Sequence, residues 1–243
     1  MYYCGVHMFM GFVASSASPE RPTDVFLLIG QSNMAGRAPM VDADHVPIQR
    51  VLLLNDAGTW ESARQPLNRH ASDHKGLNLQ GFNLGGPFAA ALRTADHTLI
   101  PGLIVNARGK TRIEQWLPGE VLYENALKRV RALKGIELAG VLWHQGESNH
   151  DDADYAGKLE RVVVGLRKDL GQPDLPFIAG HISIDNRIND QIDALTEKLP
   201  YMTVVAVNRL ATFDGVHYDR DSMITLGQRY AEAYIKLAVA ADD

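Results

Sequence analysis

The chain has 243 residues, 46% of them apolar and 22% charged, an ordinary balance for one large globular domain with room for a buried core. Its formal net charge of −5 lacks the basic footprint that nucleic acid or an anionic membrane surface requires, which argues against both as partners. No apolar run approaches the roughly 20 residues of a membrane span, and Cys4, the single cysteine, leaves no internal disulfide to form.

Residues 1–23 read as a leader. Phe9 to Val13 is modestly apolar, and Ala14-Ser15-Ser16-Ala17-Ser18-Pro19 has the small residues of a cleavage region. His7 and the lack of any Lys or Arg before it count the other way. A secreted or periplasmic protein with a signal peptide and a cytoplasmic one with a disordered leader both fit. Residues 24–243 read as a single domain. The five apolar residues 25–29 predict a strand buried on both faces, as parallel sheets require. The run stops at Gly30, which sets Ser32 at the carboxyl end of that strand, where open α/β sheets bind ligands. Backbone N–H groups of a following helix would face an anion formed there. A serine that merely caps the helix accounts for the same residues.

Further strands are predicted at 51–54, 103–105, 141–143, 177–184 and 202–207. Helices are predicted at 87–95, 120–134, 153–170, 186–199 and 222–240. Leu159, Val162, Val163, Leu166 and Leu170 share one face of the third helix, and Met223, Leu226, Tyr230, Tyr234 and Leu237 one face of the last. The alternation implies an α/β fold, a parallel sheet with helices on both faces and right-handed crossovers. Residues 55–84 show no clear regular pattern, and a loop of that length is functional or mobile. His70 and His74 lie in it, four apart, without a third ligand at zinc-like spacing, so no metal site is expected. Gly109-Lys110-Thr111 mimics the tail of a phosphate-binding loop, but Ile104 stands where that loop needs glycine. No cofactor is implied.

Three short motifs carry the chemistry: Gly30-Gln31-Ser32-Asn33-Met34, His144-Gln145-Gly146-Glu147-Ser148, and Asp214-x-x-His217. In order and spacing they resemble the SGNH-hydrolase superfamily, in its sialate O-acetylesterase and carbohydrate esterase family 6 (acetyl xylan esterase-like) branch. The likeness runs from about Asp24 to the end of the chain. It implies a flavodoxin-like three-layer α/β/α sandwich and a serine esterase that removes O-acetyl groups from a carbohydrate, such as acetylated xylan or sialic acid, through an acetyl-enzyme. Esterases for other short acyl groups share the fold, and so would a sugar-binding protein that had lost turnover. Nothing in the sequence sets an oligomeric state.

Ester hydrolysis needs a nucleophile, a base, a group that orients the base, and donors for the oxyanion. The resemblance assigns Ser32 as nucleophile and His217 as base. Asp214, three residues before His217, is the favoured orienting acid, with Glu147 as helper or outer anchor. The oxyanion hole is expected from the N–H groups of Ser32 and Gly109 and the Gln145 side-chain amide. Glycine at 109 lets backbone approach substrate closely, although the family's usual Gly-Gly is here Gly109-Lys110. Arg108, Lys110 and Arg112 crowd beside it, either solvated and paired with Glu114 and Glu147 or steering an anionic sugar. Trp116 and His74 are the remaining candidates for substrate contact; Trp143 fits a core role better.

Overall fold

The computed structural model describes residues 21–242, so most of the leader, with its apolar and small-residue stretches, lies outside the described residues. Seven strands form one sheet in the order β3-β2-β4-β1-β5-β6-β7. They are β1 (Asp24–Gly30), β2 (Leu52–Leu54), β3 (Trp60–Ser62), β4 (Pro101–Val105), β5 (Leu138–His144), β6 (Phe177–Gly180) and β7 (Met202–Val205). All pairings are parallel except that of β3, which turns back against β2 at the edge. Three residues are too few to reveal a strand by alternation, which is why β3 falls within the stretch read as irregular.

The centre of the sheet is set by β1. Val25, Leu27 and Ile29 point into one core, with Tyr123, Leu127, Leu159, Val162, Ile188 and Ile192. Those partners come from α3 (Val121–Arg131), α4 (Tyr155–Leu170) and α5 (Asn186–Lys198). Phe26 and Leu28 point into the other core, with Phe88, Leu92, Met223, Leu226 and Tyr230. These belong to α2 (Gly85–Ala95) and α6 (Arg220–Asp242). Phe26 meets the Phe88 and Tyr234 rings edge-on at 4.9 and 5.0 Å. Each such side chain, fully buried, contributes about 1.5–3 kcal/mol relative to exposure. The uninterrupted apolar run is therefore two half-strands, each serving its own layer of helices.

The expected three-layer α/β/α sandwich is what the chain forms. The predicted strand at 177–184 ends early, at Gly180. Beyond it Asn189 replaces the ladder: its Oδ1 accepts the Ile182 N–H at 2.8 Å and its Nδ2 donates to the Ile182 carbonyl at 2.9 Å. Because β1 lies between β4 and β5, their carboxyl ends meet at the point where the sheet's winding reverses, the place where such sheets hold ligands. The segments leaving β1, β4 and β5, together with the loop before α6, build the site.

Candidate active site

The turn after β1 depends on Gly30. Its φ of +137° lies where side chains are strained, and an added Cβ would sit 2.2 Å from the His144 carbonyl oxygen. Glycine lets the ends of β1 and β5 close together, and the Gln31 N–H then bonds that same carbonyl at 2.9 Å. Ser32 opens α1 (Ser32–Ala35), a single turn. A helix so short has little dipole, so anion binding here falls to individual N–H groups rather than to a macrodipole.

Ser32 Oγ lies 2.9 Å from His217 Nε2, and His217 Nδ1 lies 2.6 Å from Asp214 Oδ2. Asp214 Oδ1 also accepts the N–H groups of Val216 and His217, at 3.1 and 2.7 Å. Desolvation pushes this carboxyl up, but the bonds from the His217 ring and the two N–H groups outweigh it and hold it at about 2. An ionised Asp214 can only accept, so Nδ1 carries the ring proton and Nε2 is left to accept from the serine hydroxyl. Phe213, half-exposed, stacks on the imidazole with centroids 5.9 Å apart.

Glu147 does not reach His217. It is wholly buried after β5, where burial raises its carboxyl to about 7. Its Oε1 accepts from Asn33 Nδ2 at 2.6 Å. Asn33 in turn donates to the Val216 carbonyl at 3.2 Å and accepts the Tyr218 N–H at 3.2 Å, gripping the backbone on both sides of His217. The carboxylate thus acts on the imidazole through a neighbour. Behind it His144, also buried, is held down at about 3 by desolvation and is neutral.

The loop after β4 continues the ladder along β1, with Asn106 N–H bonded to the Leu28 carbonyl and Arg108 N–H to the Gly30 carbonyl. Asn68, from the irregular stretch, clamps both the N–H and the carbonyl of Ala107 at 2.9 Å. Gly109 thereby lies beside the serine: a Cβ there would meet Ser32 Cβ at 3.5 Å, an ordinary van der Waals contact. Among the described residues, neither Gly109 N–H nor Ser32 N–H has an acceptor. Lys110, in the place of the family's second glycine, takes φ +61°, the left-handed conformation glycine holds without strain.

Several expected contacts fall elsewhere. Gln145 is fully buried, and its amide donates to Gln31 Oε1, Thr111 O and Asn149 Oδ1 at 3.2, 3.0 and 2.8 Å. With its protons committed it braces the turns rather than offering an oxyanion donor. Trp116 is also wholly buried, edge-on to Trp143 at 5.6 Å, and has no face for a sugar. Arg112 turns away to Ser148 O, Asp151 and Glu114, and Arg108 pairs with Asp73 at 2.9 Å. His74 Nδ1 accepts the Gly76 N–H at 3.1 Å, within its own loop. His70, the other histidine there, lies between Asp56 and Glu61. No three His, Cys, Asp or Glu side chains among the described residues gather as a metal site.

Two cations that no motif marked share a cavity with the serine. Arg37 and Lys75 stand in the wall of a small cavity that also includes Ser32 and Gly109. Desolvation, then the Lys110, Arg108 and Arg37 charges, push the Lys75 ammonium below its ordinary range. Neither Lys75 nor Lys110 has a carboxylate partner among the described residues.

A serine after the central strand of a doubly wound sheet, linked through histidine to aspartate, is the arrangement of the SGNH-like hydrolases. The family model "Carbohydrate esterase, sialic acid-specific acetylesterase" matches residues 22–236, and the chain belongs to that family, among the carboxylic ester hydrolases. The probable carbohydrate esterase At4g34215 of Arabidopsis thaliana is 31% identical over 243 residues, covering 90% of this chain and 92% of the relative. The X-ray structure of the Arabidopsis thaliana protein AT4G34215 superposes with a TM-score of 0.80 at 29% identity, over 89% of this chain and 99% of that one. The crystal structure of NanS shares the fold, with a TM-score of 0.68 at 17% identity over 89% of this chain and 98% of NanS.

Proposed function

We propose that the chain is a serine esterase that releases acetate from an O-acetylated, anionic sugar. The observation that carries this reading is the unbroken series Ser32 Oγ, His217, Asp214, with Gly109 beside the same serine and its N–H without an acceptor among the described residues. His217 Nε2 takes the hydroxyl proton as Ser32 Oγ bonds to the acetyl carbonyl carbon. Asp214 stabilises the imidazolium, and the N–H groups of Ser32 and Gly109 receive the oxyanion. The intermediate collapses as His217 returns the proton to the sugar oxygen, leaving acetyl-Ser32. Water, deprotonated by the same imidazole, then frees acetate.

The rim supports an anionic substrate. Arg37 and Lys75 share the serine's cavity, and the Lys110 and Arg108 charges, the latter paired with Asp73, act on Lys75. Such a field attracts an acetylated sialic or uronic acid more strongly than neutral acetyl xylan. Phe213, stacked on His217 and half-exposed, offers the apolar face that buried Trp116 does not. Acetate release from acetylated sialic acid, an acetylated uronate and acetylated xylan tests this. The expected result is higher kcat/KM for the two acids, a preference that shrinks as salt screens exposed charges over about 8–10 Å. Equal rates unaffected by salt would remove the anionic preference, and sugar binding without acetate release would remove the esterase.

A further inference from the structure

The cavity beside Ser32 has a volume of about 20 Å³. That is room for a group of about one to two non-hydrogen atoms, since a water needs roughly 10–15 Å³ by the same measure. Its wall includes Ser32, Gly36, Ala107 and Gly109, but not His217. The directions around the reacting carbon are therefore divided. The leaving sugar oxygen must face His217 to collect its proton, and the oxyanion must face the two N–H groups. The cavity lies off the His217 side and runs on from Ser32 and Gly109 to Leu79 and Gln80, which leaves room in it for the substituent of the acyl carbonyl.

The wall is not uniformly apolar. Gln80 is part of it, and both Gln80 Oε1 and Gln80 Nε2 are buried without a hydrogen-bond partner. A buried carboxamide left unpaired is costly, and native proteins keep few of them without a use. Its backbone is fixed: Gln80 N–H bonds the Leu77 carbonyl, Gly81 N–H bonds the Gly36 carbonyl, and Arg37 Nη1 donates to the Leu79 carbonyl at 2.9 Å. Lys75 adds a cation to the same wall, which favours an oxygen there over a methyl group.

We propose that this cavity is an acyl-side subsite in which Gln80 recognises a hydroxyl, so that the enzyme accepts hydroxyacetyl (glycolyl) esters in preference to propionyl esters of equal size. The inference rests on the serine-esterase reading and adds a specificity residue to it. The chemistry is the same acyl transfer: the Ser32 Oγ–carbonyl bond forms, the sugar C–O acyl bond breaks, and water later releases glycolate. Propionyl fills the same volume but leaves the Gln80 amide unpaired, and butyryl exceeds the space.

The test is kcat/KM for glycolyl, acetyl, propionyl and butyryl esters of one methyl glycoside, each divided by its hydroxide-catalysed rate to cancel intrinsic reactivity. The wild-type protein should prefer glycolyl over propionyl by about tenfold, the discrimination of one buried hydrogen bond, and cleave butyryl least. Gln80→Met, similar in length but without the amide, should bring the glycolyl-to-propionyl ratio to one or below. The wild-type ratio needs no variant, so a misfolded Gln80→Met cannot rescue the idea. Acetyl cleavage with a wild-type ratio at or below one overturns the subsite alone. Cleavage of none of the esters overturns the esterase reading and the subsite with it.

Discussion

Two carboxylates bear on the same histidine, one directly and one through Asn33, and their surroundings give them opposite characters. Asp214 lies on an open loop, bonded directly to the imidazole, and is held ionised at about 2. Glu147 lies under the sheet's end, bonded only to Asn33, and is raised to about 7 by burial. The exposed group can stabilise a charge that appears on His217 during the reaction. The buried one is poorly suited to that task, because its own charge is costly there. What it supplies is position, through the Asn33 grip on Val216 and Tyr218. Both motifs contain an acid, and local environment alone sets the exposed, ionised one apart from the buried one.

The largest expected effect breaks the exposed side. Asp214→Asn preserves shape but offers an amide where the ring needs an acceptor, so it favours the wrong tautomer and should lower kcat by about 10³–10⁴-fold. Steady-state kinetics on an acetyl ester reads this directly. Asn33→Ala should fall between the two sides, costing about 10–100-fold in kcat as the grip on His217 loosens, with little change in KM.

Glu147→Gln is the smallest, less than about tenfold in kcat, since the amide can still meet Asn33 after a flip. Its signature is in stability. The folded carboxyl holds its proton to about 7, while an ordinary glutamate releases it near 4.5, so between those values the folded state binds the extra proton. Stability from this group is full below about pH 4.5 and is lost as pH rises through 7, on the order of 3 kcal/mol in total. Denaturant titrations across that range should show the decline in the wild-type protein and a flatter profile in Glu147→Gln. A kcat loss from Glu147→Gln larger than that from Asp214→Asn would reverse the assignment of the two acids.

The scaffold was readable because its signals are local. The run 25–29 announces a doubly buried strand, and the helical faces of 159–170 and 223–237 repeat within a few turns. The motif residues were readable too, since Ser32, Asn33, Glu147, Asp214 and His217 sit at strand ends or on one loop. The cavity wall was not. Lys75 and Gln80 belong to the stretch 55–84, which lacks periodicity, and they share a cavity with Ser32 in a fold where Asn68 clamps Ala107 and Arg37 holds Leu79. Spacing also misled where it could not report burial. Trp116 and Gln145 lie near the site in sequence, but side-chain packing turns both inward.

Covalent trapping tests the central claim, that Ser32 is the nucleophile, most directly. A small organophosphonate inhibitor mimics the tetrahedral intermediate and stays on the serine that attacks it. Incubation followed by proteolysis and mass mapping should place one adduct on Ser32, in step with the loss of acetyl-ester hydrolysis, and Ser32→Ala should take up none. An adduct on another residue, or full hydrolysis by Ser32→Ala, would contradict the account.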